Sequence, residues 1–382
     1  MRLHAYGEWQ RTPKDTFFRR HRVLVLNPGS TSTKTSVYEG DEERFTDEIQ
    51  HPAEELKAFE GRPITDQFAF RKDAILGFLA DRGLGLGDLD AVAGRGGLLR
   101  PIPHGTWNVG PAMLADLKAG ARGEHASNLG ALIAAELMAG TGKPAYIVDP
   151  VVVDETDPKV KVSGLKELPR RVVSHALNQI ATARRYAEGR ETFYERINVI
   201  VAHMGGGITV GAHRKGRYID VNNGLDGEGP FSPQRSGTLP AGQLIDLCFS
   251  GKYTKGELKL LNKGRGGIID LLGTADMREV ERRVDAGDPE ATLVWEALAY
   301  QVAKGITALL PAFDGEPVDA VLLTGGMARS SKLVAELRRL TAALGCEVQV
   351  YPGENEMAAL AKGALRVLSG RETAQDYPPQ EG

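Results

Sequence analysis

Cysteine is almost missing. Cys248 and Cys346 are the only two in 382 residues, too few for a disulfide framework or a four-thiolate zinc site. No run of apolar residues approaches the roughly eighteen that cross a bilayer. Neither charge dominates. Lys and Arg number 47 against 50 Asp and Glu, a net −3, so no global field draws the chain to nucleic acid or an anionic membrane. There is no H-E-x-x-H motif and no Cys/His cluster to hold a metal. The first 22 residues carry Arg2, Glu8, Arg11, Lys14, Asp15, Arg19, Arg20 and Arg22 and no apolar core, so they do not read as a signal peptide. Residues 1–21 are expected to be a poorly ordered extension, and the setting a reducing cytoplasm without nucleic-acid or membrane partners.

Glycine, by contrast, is abundant: 46 residues, well above the typical level of roughly 7%. The glycines cluster where short apolar runs end. Val23–Leu26 runs into Asn27-Pro28-Gly29-Ser30, Leu89–Ala93 into Gly94-Arg95-Gly96-Gly97, Ala145–Val148 into Asp149-Pro150, Val199–Ala202 into His203-Met204-Gly205-Gly206-Gly207, and Val318–Leu323 into Thr324-Gly325-Gly326. Helical patterns lie between them, near 124–139, 170–187, 288–309, 331–344 and 355–369. The alternation predicts an α/β chain with helices on mixed sheets.

The most informative feature is an echo. Residues 23–40 read VLVLNPGSTSTKTSVYEG and residues 199–216 read VIVAHMGGGITVGAHRKG. Each has four apolar residues, a polar residue, a small-residue turn and a second strand. The pattern predicts two similar hairpins and hence two duplicated halves, since the 176-residue separation is far beyond the period of a solenoid. Neither tip is a P-loop, and neither leads into a helix as a Rossmann turn does. A hairpin tip rich in backbone N–H groups and hydroxyls can still bind phosphate oxygens.

Several residues carry chemistry on this reading, each beside a plain structural alternative. In NPGSTSTK, Asn27 offers a neutral ligand or donor, Ser30, Thr31 and Ser32 offer hydroxyls and Lys34 a point charge; the alternative is an ordinary hydroxyl-stabilised turn. Gly205, Gly206 and Gly207 let backbone amides approach a ligand; the alternative is a tight bend. Arg95, on a glycine-flanked turn, has the fork that suits a carboxylate, although GRGG recurs at 264–267. Arg235, between Ser, Pro and Gly, is suited to the equatorial oxygens of a transferring phosphoryl group; the alternative is a salt bridge. Asp149 ends a strand where α/β sheets open their crevice, or it is only a turn residue before Pro150.

Three blocks, LNPGSTSTK at 26–34, HMGGGITVGAHRKGRYIDVNNGLDGEGPFSPQRSGTLP at 203–240 and LTGGMARS at 323–330, resemble the acetate/butyrate kinase family, in its butyrate-kinase branch. That family lies within the actin, sugar-kinase and chaperone-ATPase superfamily. The resemblance runs from about residue 22 to about 370, and the 203–240 block is its most specific part.

The resemblance implies a two-lobed, duplicated actin-like (ribonuclease H-like) ATPase fold. Residues 22–150 with 357–382 would form the substrate lobe and 151–356 the ATP lobe, with the active site in the cleft. It implies ATP/ADP and Mg2+ as cofactors, a short-chain carboxylic acid as substrate and butanoyl phosphate as product. A homodimer or higher homo-oligomer is also implied. Asn27 would lie near Mg2+ with Glu356, and Lys34 near ATP. His203 and Gly205–Gly207 would meet the ATP phosphates, Asp276 and Arg278 the ribose, Gly325 and Gly326 the base. Arg95 would bind the carboxylate, with Asp149 and His175 catalytic and His175 stabilising transition-state charge. The segment after His175 reads HALNQ, without the second histidine that acetate kinases carry. A carboxylate acceptor is already ionised near neutral pH, so Asp149 is expected to orient groups rather than strip a proton. Acetate or a branched-chain acid is the alternative acceptor; a non-catalytic actin-like ATP-binding switch is the alternative from another class.

Overall fold

The computed structural model describes residues 21–379; the expected extension lies almost wholly outside them. The chain divides into two compact units. The first comprises the chain up to Gly97, Gly105–Val148 and the chain from Leu360; the second comprises Leu98–His104 and Asp149–Ala359. The 98–104 segment joins the second unit, where Ile102 forms a parallel bridge with Val153.

The first unit is built on a seven-stranded sheet: β1 (Arg22–Pro28), β2 (Ser32–Glu39), β3 (Glu42–Gln50), β4 (Ala91–Gly94), β5 (Thr106–Asn108), β6 (Ala145–Val148) and β12 (Gln375–Asp376), in the order β12-β5-β6-β4-β1-β2-β3. The second has β7 (Asn198–Met204), β8 (Ile208–Arg214), β9 (Arg217–Val221), β10 (Ala320–Gly325) and β11 (Glu347–Pro352), in the order β11-β10-β7-β8-β9. Five strands of the first sheet, β6-β4-β1-β2-β3, correspond in order to the whole of the second, while β5 and β12 have no counterpart there. β1 pairs antiparallel with β2 and parallel with β4, as β7 pairs antiparallel with β8 and parallel with β10. The echo in the sequence is therefore a duplicated sheet. It is not perfectly periodic: Asn27 lies opposite Lys34, but His203 lies opposite Thr209, so the second turn is one residue shorter.

The helices of eight or more residues are α1 (Phe68–Ala80), α2 (Pro111–Ala119), α3 (Asn128–Met138), α4 (Ala176–Gly189), α5 (Ala241–Phe249), α6 (Lys255–Asn262), α7 (Met277–Asp285), α8 (Pro289–Ala308), α9 (Ser331–Leu340) and α10 (Glu356–Leu368). In the second unit β7 is buried throughout because both its faces are covered. Ile200, Ala202 and Met204 join a core with Leu298, Val302 and Ile306 of α8. Val199 and Val201 join the opposite core with Ile180 and Ala183 of α4. Four consecutive apolar residues are what a strand covered on both faces requires. No helix among the described residues is long and apolar enough to cross a membrane.

The helix expected from residue 170 begins only at Ala176. The backbone before it bonds elsewhere: Arg170 N–H donates to Lys161, Ser174 N–H to Val151, and the Val173 carbonyl accepts from Gly224. The Arg170 guanidinium donates to the Val160 and Val221 carbonyls. These long-range bonds outcompete the helical ladder.

Candidate active site

The turn after β1 is held from beneath. Gly29 N–H donates to the Ser32 carbonyl at 2.8 Å. Below it lies Arg71 of α1, fully buried. Its Nη1 donates to the Ser32 carbonyl (3.1 Å) and Thr33 Oγ1 (3.0 Å), its Nη2 to the Ser30 carbonyl (3.2 Å), and Nε and Nη2 to Gln67 Oε1. All five N–H donors are thus used, and no carboxylate is among their acceptors. Burial lowers the Arg71 pKa to about 10, still well above neutrality, so a fixed positive charge sits under the turn. Ser30 and Thr31 are exposed at the tip, and their hydroxyls make no hydrogen bond among the described residues. Ser32 Oγ, by contrast, donates to Glu48. Sequence reasoning missed Arg71, because the helix that carries it is not among the patterns read from the sequence and its partners lie some forty residues away.

Arg95 follows β4, and its backbone N–H donates to Leu26 at 2.8 Å. Two glycines seat this turn on α3. A Cβ at Gly94 would strike the Gly130 backbone, and one at Gly97 would meet Cα of Asn128 at 2.6 Å. Arg95 Nη1 donates to Asn27 Oδ1 at 3.3 Å. Two residues expected to serve metal and substrate separately therefore touch. Lys34, exposed on β2, sits across the hairpin from Asn27.

In the second unit the HMGGG turn is clamped by the SPQRSG loop. Ser232 Oγ donates to the Gly206 carbonyl at 2.7 Å. A Cβ on Gly207 would overlap the Arg235 guanidinium, which also donates to the Gly224 carbonyl. Burial lowers the Arg235 pKa. The structure thus lays the arginine fork on the glycine tip. His203 is buried and stacks on His175, with ring centroids 3.9 Å apart and planes 13° from parallel. Its Nδ1 meets Asn178 Oδ1 at 3.0 Å, and its Nε2 lies 3.4 Å from Glu354 Oε1. The same Glu354 oxygen lies 3.1 Å from where a Cβ of Gly205 would stand. Glu354 was not singled out from the sequence; Glu356, which was, opens α10. His175 occupies the N-cap position of α4, but its side chain makes no cap bond.

Gly325 and Gly326 differ. Gly325, at φ 89°, packs on Met204, whose backbone a Cβ would strike, and exchanges two backbone hydrogen bonds with Gly353. Gly326 is exposed, and a Cβ there would meet nothing within 4 Å. Asp276 caps α7 through Arg278 N–H, and its two oxygens take Arg278 Nε (3.0 Å) and Nη2 (2.9 Å). These two candidates for the ribose thus pair with each other, Arg278 almost wholly in solvent. Asp149 is buried just after β6 with φ 39°, a left-handed conformation that costs most L-residues energy and that Asp tolerates better.

No cluster of three or more His, Cys, Asp or Glu side chains able to hold a metal occurs among the described residues. Glu354 and Glu356 flank the start of α10. A sparse set of hard oxygen donors fits Mg2+, which keeps several waters and binds through one or two carboxylates plus substrate phosphates.

The arrangement is thus two hairpin turns of matching topology, each braced by an arginine, with an arginine on a seated turn and a stacked histidine pair nearby in their respective units. Three solved structures share this fold. They are an acetate kinase from Porphyromonas gingivalis (TM-score 0.72, 21% identity, covering 91% of this chain and 100% of that one), a propionate kinase from Francisella tularensis subsp. tularensis (0.68, 18%, 90% and 99%) and an acetate kinase from Entamoeba histolytica (0.69, 16%, 90% and 98%). The match to the family described as the Acetokinase family extends over residues 166–367, more than half the chain and inclusive of the HMGGG turn, Arg235 and the stacked histidines. On that match the chain belongs to the acetokinase family.

Proposed function

We propose that the chain transfers the γ-phosphoryl group of ATP to the carboxylate of a short-chain fatty acid, with butanoate as the preferred acceptor, yielding ADP and butanoyl phosphate. Family membership supports the carboxylate-kinase reading. The observation that carries it is Arg95: a guanidinium on a turn that two glycines seat against α3, with Nη1 held by Asn27. That is a placed fork for a carboxylate. A carboxylate oxygen attacks the γ-phosphorus, the bond from that phosphorus to the bridging oxygen breaks, and ADP leaves. No proton must be removed from the acceptor. Asp149 therefore acts as an orienting charge. Arg235 and His175 offset charge on the transferring oxygens, while the Gly205–Gly207 amides and the Ser30 and Thr31 hydroxyls receive phosphate oxygens.

Mg2+, when bound, neutralises phosphate charge and orients the chain of phosphates; Glu356 is the assigned carboxylate for it, and Asn27 is assigned to Arg95. Lys34 is assigned to ATP, Gly326 to the base, and the Asp276–Arg278 pair to the ribose edge. Exposed Leu244, Ile245 and Phe249 on α5 support a homodimer, and the two free thiols are in keeping with a cytoplasmic setting.

Acetate is the second reading, favoured by the family matched. One methylene in an apolar pocket is worth about 1–3 kcal/mol. Trapping acyl phosphate with hydroxylamine across acetate, propionate, butanoate, isobutanoate and valerate discriminates. Butanoate is expected to exceed acetate in kcat/KM by about tenfold or more. Turnover confined to acetate reassigns the acceptor. ATP binding with no acid phosphorylated leaves the non-catalytic switch.

A further inference from the structure

Behind His175 lies a line of buried side chains whose hydrogen positions follow from valence alone. Tyr194 is buried, and among the described residues its hydroxyl has one partner, His213 Nδ1, at 2.7 Å. A buried hydroxyl must donate, so His213 Nδ1 accepts. Burial first, and the charge of His104 second, lower the His213 pKa to about 3. The ring is therefore neutral and carries its single hydrogen on Nε2, which lies 3.2 Å from Gln179 Oε1.

The other end gives the same polarity independently. Gln179 lies 3.0 Å from the Thr209 backbone carbonyl, which can only accept, so the amide nitrogen faces Thr209 and Oε1 faces His213. The second amide hydrogen goes to Thr209 Oγ1 at 2.8 Å. Gly211 makes room for this amide, since a Cβ there would stand 2.6 Å from Gln179 Oε1. Gln179, Thr209 and His213 are each 0% exposed.

Thr209 Oγ1 thus accepts from Gln179, and its own hydrogen needs an acceptor. Its one remaining neighbour among the described residues is His175 Nδ1 at 3.0 Å. We infer that Thr209, oriented through Gln179, His213 and Tyr194, donates to His175 Nδ1 and so holds the neutral ring as the tautomer with its hydrogen on Nε2. Every bond in the series points the same way, and such series strengthen cooperatively. Thr209 and Gln179 are positioning residues. They present an N–H, not a lone pair, at the far nitrogen of the ring, which is the polarity a phosphoryl oxygen needs.

The value of this tautomer to catalysis rests on the carboxylate-kinase reading; the tautomer itself does not. The test is long-range 15N–1H correlation on protein labelled at histidine, at mildly alkaline pH, with His175 assigned by its loss in His175→Gln. The wild type is expected to show unprotonated Nδ1 and protonated Nε2. Thr209→Val should give a mixture of tautomers and lower kcat about tenfold with KM unchanged, and Thr209→Ser should restore both. A wild-type ring with its hydrogen on Nδ1 overturns the inference and needs no variant to fold. So does an unaltered tautomer in folded Thr209→Val. If the tautomer is as inferred but no acid is phosphorylated, the functional reading fails and this assignment stands.

Discussion

Arg235→Ala is expected to lower kcat for acyl phosphate formation about a thousandfold while leaving nucleotide affinity within a few-fold. The reason is geometric. The guanidinium lies against the Gly207 backbone, where no side chain intervenes, and is fixed there by the Gly224 carbonyl. Phosphoryl transfer needs little covalent help from a protein, so charge placed on the equatorial oxygens is the main contribution available, and arginines in that role are worth roughly 10³–10⁵ in rate. Partial burial strengthens the effect, because a half-desolvated cation meets developing charge in a lower dielectric. Arg235→Lys keeps the charge but loses the fork and should recover only part of the rate. Calorimetric ADP titration beside steady-state kinetics separates the two roles. An alanine variant that retains kcat within tenfold would falsify the assignment; one that loses ADP binding in parallel would make Arg235 a brace for the turn.

Arg71→Met should damage both stability and nucleotide use. The side chain is fully buried, donates all five N–H groups, and joins α1 to the carbonyls of Ser30 and Ser32. Methionine matches its length but leaves the Ser30 carbonyl without this donor, at about 1–3 kcal/mol if water cannot reach it, and removes the bonds to the Ser32 carbonyl and Thr33 Oγ1, which keep Gly29 N–H and His51 as partners. It also removes the fixed charge under Ser30 and Thr31. The loss expected in a denaturant titration is about 3 kcal/mol, offset in part because a buried cation without a carboxylate partner is itself costly. KM for ATP should rise about tenfold. Arg71→Lys keeps the charge without the geometry; it should recover more of the ATP affinity than of the stability. Wild-type values for both quantities in Arg71→Met would show that the turn holds its shape unaided.

The parts of this fold written locally were legible in the sequence. β1, β4, β6, β7 and β10 are short, largely buried apolar strands, and each ends at the turn that bears a candidate residue. The hairpin echo announced the duplication, because both copies keep the same apolar run and small-residue tip. The rest depends on contacts distant in sequence. β12 is two residues long and exists only by pairing with β5. α5 has no buried residue, so nothing anchors a reading of it. Arg71 is buried by a turn some forty positions away, and Gln179 acquires its role only when α4 packs over β8. The glycines of the candidate site divide in a way no spacing announces. Gly94, Gly97, Gly207 and Gly325 make room for other parts of the protein, while Gly326 faces open space.

The proposed reaction requires that a carboxylate oxygen become the bridge to phosphorus. Butanoate labelled with 18O in both oxygens, incubated with ATP, Mg2+ and the chain, tests this by 31P NMR. The expected result is an acyl phosphate resonance displaced upfield by a bridging 18O, with ADP formed in equal amount. Orthophosphate free of label and no acyl phosphate signal, while ATP is consumed, would contradict it.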